Sequence, residues 1–76
     1  MNTTLLKARM IEHGYNDEQL SIVLGINPAT FYRKKNGQSD FLRKEIQVMR
    51  DVLRLSSEDV DAIFFADELA NMQVKN

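Results

Sequence analysis

Seventy-six residues, 43% hydrophobic and 28% charged, with one proline and three glycines, describe one small folded domain: a chain this short buries only about 60% of its unfolded surface, which leaves one modest core and little room for a deep substrate cleft. The absence of cysteine and a single histidine, His13, exclude a disulfide scaffold and a thiolate or histidine metal cluster, and fit a reducing, cytoplasmic setting with no cofactor. A net charge of −1, taken as an average, argues against a nucleic-acid binder, and the longest apolar run, Ala62 to Ala66, falls far short of the roughly 18 residues that suggest a membrane span.

Helical signals follow one another along the chain. Glycine and proline fall at boundaries, and no stretch alternates with period two for long. A first helix is expected over about residues 4–13, capped by Thr3 or Thr4, with Leu6 and Met10 one turn apart and Gly14 placed to stop it. Asn16 caps a second helix, Gln19 completes a capping box, and Asp17 and Glu18 complement the dipole. Leu20, Val23 and Leu24 form its apolar stripe, and Gly25 ends it after about two turns. Asn27 caps the third helix, Pro28 takes its first position, where a missing N–H costs nothing, and Asn36-Gly37 closes it.

Gly25, Ile26 and Asn27 are the whole connection between those two helices. That spacing suits a crossing near 90–120°, the geometry of a helix-turn-helix. Beyond the polar turn Gly37-Gln38-Ser39-Asp40, Ile46, Met49 and Leu53 mark the buried stripe of a fourth helix over about residues 42–54. Ser56 opens a fifth, with Asp59 as its capping-box partner and Val60, Ile63 and Phe64 at helical spacing. Residues 66–72 extend that helix or form a separate turn, and residues 73–76 are expected to fray. The fold class is therefore all-α, a bundle of about five short helices in one domain, 1–76, with a central helix-turn-helix.

Charge is unevenly placed. Residues 1–26 carry −1: Lys7 and Arg9 against Glu12, Asp17 and Glu18. Residues 27–50 carry +4: Arg33, Lys34, Lys35, Arg43, Lys44 and Arg50 against Asp40 and Glu45. Residues 51–76 carry −4: Arg54 and Lys75 against Asp51, Glu58, Asp59, Asp61, Asp67 and Glu68. A basic centre beside an acidic third is what a chain shows when one surface meets a polyanion and another does not.

The run from Asn16 to Gly37 resembles the helix-turn-helix of the Cro and lambda-repressor family, also called the xenobiotic-response-element family. The resemblance rests on Leu20, the small Ser21, Leu24, Gly25, the aliphatic Ile26, Phe31 and the closing Asn36-Gly37, and it extends more loosely over residues 5–65. It looks most like the small regulators of phages and prophages. It implies a lambda-repressor-like DNA-binding domain acting as a transcriptional regulator, with the third helix in the major groove of double-stranded DNA. Two positions depart from the family's pattern. Asp17 stands where a phosphate-binding glutamine is common, and Lys34 stands where an apolar residue is usual, so its stem is expected to cover the core while its amine reaches outward.

On a helical wheel, Pro28, Ala29, Tyr32, Arg33 and Asn36 share roughly 140° of arc, with Phe31 on the opposite side. Arg33 is the best base reader, because its fork can meet guanine O6 and N7 together. Pro28 and Ala29 suit a thymine methyl, and Tyr32 and Asn36 suit phosphate or sugar. Lys35 at the edge of that arc, with Arg43 and Lys44 at the start of the fourth helix, are candidate phosphate clamps. Ile63, Phe64, Phe65, Leu69 and Met72 form a candidate homodimer surface, which alternatively only closes the core. His13 reads as a helix-terminal residue, Tyr15 as a wedge between the first two helices, and Met10 and Met49 as core filler.

Binding of operator DNA by a repressor is the leading expectation. A protein-binding module of the same fold, docking through the acidic and aromatic C-terminal third, is the alternative. No paired carboxylates, nucleophile–base set or phosphate-cradling glycine loop points to an enzyme, and no small-molecule substrate is expected. The length fits one complete DNA-binding module without a sensor domain.

Overall fold

A computed structural model describes residues 1–66. Over these residues the chain forms α1 (Thr3–Glu12), α2 (Asp17–Leu24), α3 (Pro28–Lys35), α4 (Arg43–Val52) and α5 (Ser57–Phe64), with no strand among them. The expected all-α bundle of five short helices is thus the architecture. None of the described helices is long and apolar enough to cross a membrane. The expected continuation over 66–72 and the fraying of 73–76 fall, beyond Ala66, outside the described residues.

Helices this short draw little stability from propagation alone, so their ends must be satisfied locally and their inner faces buried. Asn16 accepts from the Gln19 N–H at 2.8 Å, and the Gln19 side chain accepts from the Asn16 N–H at 2.9 Å, the reciprocal cap expected from sequence. Asn27 caps α3 through the Ala29 N–H at 2.8 Å, with Pro28 at the first position. Ser56 and Asp59 close the same box on α5 at 3.0 and 3.2 Å. The cap of α1 differs from expectation: Asn2, not Thr3 or Thr4, accepts from the Leu5 N–H at 3.0 Å, so the helix starts at Thr3. Leu42 has no side-chain acceptor for α4, and the Glu45 carboxylate takes the Leu42 N–H at 2.8 Å instead.

The first four helices stop in one way. A residue of positive φ lets the next N–H reach back five residues, from Tyr15 to the Met10 carbonyl, Ile26 to Ser21, Gln38 to Arg33 and Leu55 to Arg50, each at 2.9–3.0 Å. Gly14, Gly25 and Gly37 supply three of those turns, and Arg54, at φ 51°, supplies the fourth.

Leu6, Met10, Leu20, Phe31, Met49, Leu53, Leu55 and Ile63 form the buried core, with Tyr15, Leu24, Ile26, Phe41, Ile46, Val60 and Phe64 packed against it. The stripes expected on α4 and α5 face this core. On α2 the inward set is Leu20, Ser21 and Leu24, whereas Val23, expected in the stripe, is 42% exposed. Ser21 is fully buried and its hydroxyl donates back to the Glu18 carbonyl at 2.7 Å, so a small side chain occupies the α2 position turned toward the interior. Phe41 bridges α3 and α5, its ring centroid 5.7 Å from both Phe31 and Phe64. Ile63 belongs to this core and is removed from the candidate dimer surface by its complete burial.

Charge ties the first helix to the last. The Arg9 guanidinium donates to both carboxylate oxygens of Asp59 at 3.2 and 3.3 Å and also meets Glu12 at 2.7 Å. The hydrogen bonds from Arg9, reinforced by the Ser56 N–H, hold the Asp59 carboxyl below its ordinary value. A depressed carboxylate adds stability that is present above its unfolded pKa and is lost as pH falls through the folded one. In urea titrations at a series of pH values below about 5, Asp59→Asn is expected to flatten the acid loss of stability. An unchanged pH profile counts against this contact.

Candidate nucleic-acid interface

The third helix is amphipathic because of where Phe31 points. Phe31 is fully buried, and on the opposite side Pro28, Ala29, Tyr32, Arg33 and Asn36 are all exposed, so the five side chains grouped by the helical wheel share one outward face. Tyr32 is 54% exposed. Arg33 makes only a long contact to Thr30 Oγ1, 3.4 Å, so its guanidinium is available to a ligand. The helix follows α2 across Gly25, at φ 71°, where an added Cβ would meet nothing within 4 Å. Glycine is therefore needed there for its backbone angle rather than for space.

Two ion pairs tie this helix to its neighbours. Lys34 Nζ donates to Glu45 Oε1 at 2.7 Å, with side chains 12% and 3% exposed. Lys35 Nζ donates to both Asp17 oxygens at 2.7 Å, with side chains 7% and 36% exposed. Lys35 is thus buried rather than at the edge of the exposed arc, and its role as a phosphate clamp is corrected: its charge is taken up by a carboxylate on α2. On the wheel it lies only about 20° from Pro28, so rotation alone does not assign it. The partner that pulls it inward is 18 residues away.

Glu45 lies in the first turn of α4, so the Lys34 pair brings that turn against α3. Arg43 and Lys44, the first residues of α4, are exposed and form no ion pair among the described residues. Of the six cations between residues 27 and 50, Lys34 and Lys35 are neutralised internally, and Arg50 faces Asp51 at 3.6 Å across open solvent. Arg33, Arg43 and Lys44 remain for an anionic partner. Sequence reasoning misses both buried pairs, although each involves one of the two residues singled out as departures, Asp17 and Lys34.

On the candidate dimer surface, Phe64 and Phe65 are partly exposed, and Leu69 and Met72 lie outside the described residues. Among the described residues no group of three His, Cys, Asp or Glu side chains is placed to hold a metal. Comparison with known proteins adds no assignment: no family model, curated protein or solved structure matches the chain.

The two kinds of basic residue respond differently to loss. Removing Lys34 leaves Glu45 buried without its cation, whereas removing Arg33 leaves solvent. Lys34→Met is expected to cost about 2–3 kcal/mol in urea unfolding, and Arg33→Ala within about 0.5 kcal/mol. Equal losses would mean that the Lys34–Glu45 pair does not support α3.

Proposed function

We propose that this chain is a sequence-specific double-stranded DNA-binding transcriptional regulator of the Cro and lambda-repressor type, acting in the cytoplasm as a phage- or prophage-type repressor. The observation that carries this reading is the outward face of α3. Ala29, Tyr32, Arg33 and Asn36 project from a helix held in place by Phe31, Lys34 and Lys35, directly after a three-residue turn from α2. A rigid helix with its polar face free is what readout in the major groove requires.

In this reading Arg33 meets a guanine edge, Pro28 and Ala29 lie near a thymine methyl, and Tyr32 and Asn36 reach phosphate or sugar. Arg43 and Lys44 clamp the backbone from the start of α4. Three free cations give a modest electrostatic component, so affinity comes from pairing two copies on half-sites about one helical turn apart. Phe65, partly exposed at the end of α5, supports the homodimer surface on that side of the molecule. Repression follows from occlusion of a promoter.

The alternative, docking of a protein partner, draws on one feature. Phe41, Ile46 and Phe65 line two neighbouring recesses, one of them about 560 Å³ and edged by Arg43 and Arg50. A partner seated there by apolar contact would depend less on salt than DNA binding, which must weaken as salt rises.

Selection of bound sequences from random duplex DNA at two salt concentrations tests the leading reading. A two-fold symmetric site enriched more strongly at low salt is expected, and no enrichment at either concentration rejects it. On the selected site, Arg33→Ala is expected to cost on the order of 1–3 kcal/mol and to relax preference at one base pair. Unchanged affinity and selectivity in a gel-shift titration would remove Arg33 from the interface. Light scattering checks the pairing: wild type is expected as a dimer on its site and Phe65→Asp as a monomer. A wild type that stays monomeric on DNA removes the dimer.

A further inference from the structure

Lys35 stands in the most basic stretch of the chain yet cannot easily offer its charge to a ligand. Its side chain is 7% exposed, and two of its three N–H donors go to the carboxylate oxygens of Asp17 at 2.7 Å. A phosphate would have to displace that bidentate partner. The residue is held from its backbone as well, because the Lys35 carbonyl accepts from Thr3 Oγ1 at 3.0 Å, which ties the end of α3 to the start of α1. Asp17 follows directly on the Asn16 capping box, so the carboxylate stands on a fixed helix start.

The ammonium so placed lies 5.5 Å from the centroid of the Tyr32 ring, within reach of its negative face. Tyr32 is the largest side chain on the outward face of α3, and its hydroxyl makes no hydrogen bond among the described residues. An exposed tyrosine without such a contact exchanges rotamers on the ps–ns scale. One held against a fixed cation loses part of that freedom.

We infer that Lys35 serves the DNA-binding face as a positioning residue: clasped by Asp17 on α2, its ammonium holds the Tyr32 ring so that the free phenol meets the DNA backbone, and it makes no phosphate contact itself. This role rests on the DNA-binding reading above. It deepens that reading by dividing the cations of the basic stretch into those that touch phosphate, Arg43 and Lys44, and one that acts through an aromatic ring.

Charge counting and positioning give opposite expectations for Asp17→Asn. That change removes a negative charge beside the interface, so attraction to DNA alone predicts tighter binding. Positioning predicts weaker binding, by about fivefold, because Lys35 loses its anchor. Lys35→Met is expected to weaken binding to a similar degree while leaving the slope of log affinity against log salt unchanged, whereas Lys44→Ala lowers that slope by about 0.9. In a double-mutant cycle, Tyr32→Phe is expected to lose affinity in the wild type and nothing further in Lys35→Met.

Circular dichroism of each variant establishes that it is folded, and Asp17→Asn keeps every other contact of Lys35 if Lys35→Met does not fold. Two-dimensional NMR of the free protein reads the geometry without DNA, as a cross-peak between the Lys35 ε-protons and the Tyr32 ring that is lost in Asp17→Asn. Absence of that cross-peak in the wild type, tighter binding by Asp17→Asn, or a shallower salt slope for Lys35→Met each overturns the positioning role. A wild type that binds no duplex at either salt concentration overturns the DNA-binding reading itself, whether or not the cross-peak is present.

Discussion

Complete burial of Phe31 is the constraint from which the rest of this structure follows. A single aromatic side chain on an eight-residue helix decides which side of α3 turns inward, and Phe41 and Phe64 extend its contact to α5 through two ring pairs 5.7 Å apart. With Phe31 inside, helical geometry leaves Pro28, Ala29, Tyr32, Arg33 and Asn36 outside. A helix of about two turns would still rock about one buried ring. The flanking lysines supply the restraint, Lys34 toward α4 and Lys35 toward α2, each against a carboxylate at 2.7 Å.

Those two pairs change the meaning of the basic stretch. The formal charge over residues 27–50 is +4, but part of that charge is turned inward and serves packing. Burying an ion pair costs desolvation, so such pairs are weak evidence for net stability. Their use here is orientation: two charge-assisted contacts at neighbouring positions fix the roll of α3 more narrowly than hydrophobic contact alone, which is tolerant of rotation. Exposed side chains on the outward face and ionic restraint at Lys34 and Lys35 are two uses of adjacent residues in one short segment.

Legibility from sequence divides along the same line. The boundaries of α2, α3 and α5 are readable because their caps are local: Asn16 with Gln19, Asn27 with Pro28 and Ser56 with Asp59 declare themselves within three residues. Core positions on α4 and α5 are readable from period. The α1 cap falls one or two residues from its expected place because Asn2, Thr3 and Thr4 are all competent caps and only the surrounding packing chooses. Val23 leaves the expected stripe because a two-turn helix gives too few repeats to distinguish a stripe through residue 23 from one through Ser21. The contacts Asp17–Lys35, Lys34–Glu45 and Arg9–Asp59 have no period and link residues 18, 11 and 50 positions apart, so no local pattern announces them.

The repeated manner of stopping a helix also determines where this chain has slack. Between α2 and α3, Gly25 makes the stop, Ile26 closes it with its N–H, and Asn27 is already the next cap. Gly14, Tyr15 and Asn16 divide the same three tasks between α1 and α2, and Arg54, Leu55 and Ser56 divide them between α4 and α5. These connections contain no spare residue, so an insertion in any of them breaks a stop or a cap. The passage from α3 to α4 is longer: once Gln38 has closed its stop, residues 39–41 belong to neither helix, and the Phe41 ring packs against the core. A change of length there would act beside the start of α4, on the placement of Arg43 and Lys44 and on the Lys34–Glu45 pair that ties this turn to α3, while leaving untouched the turn that sets α3 against α2.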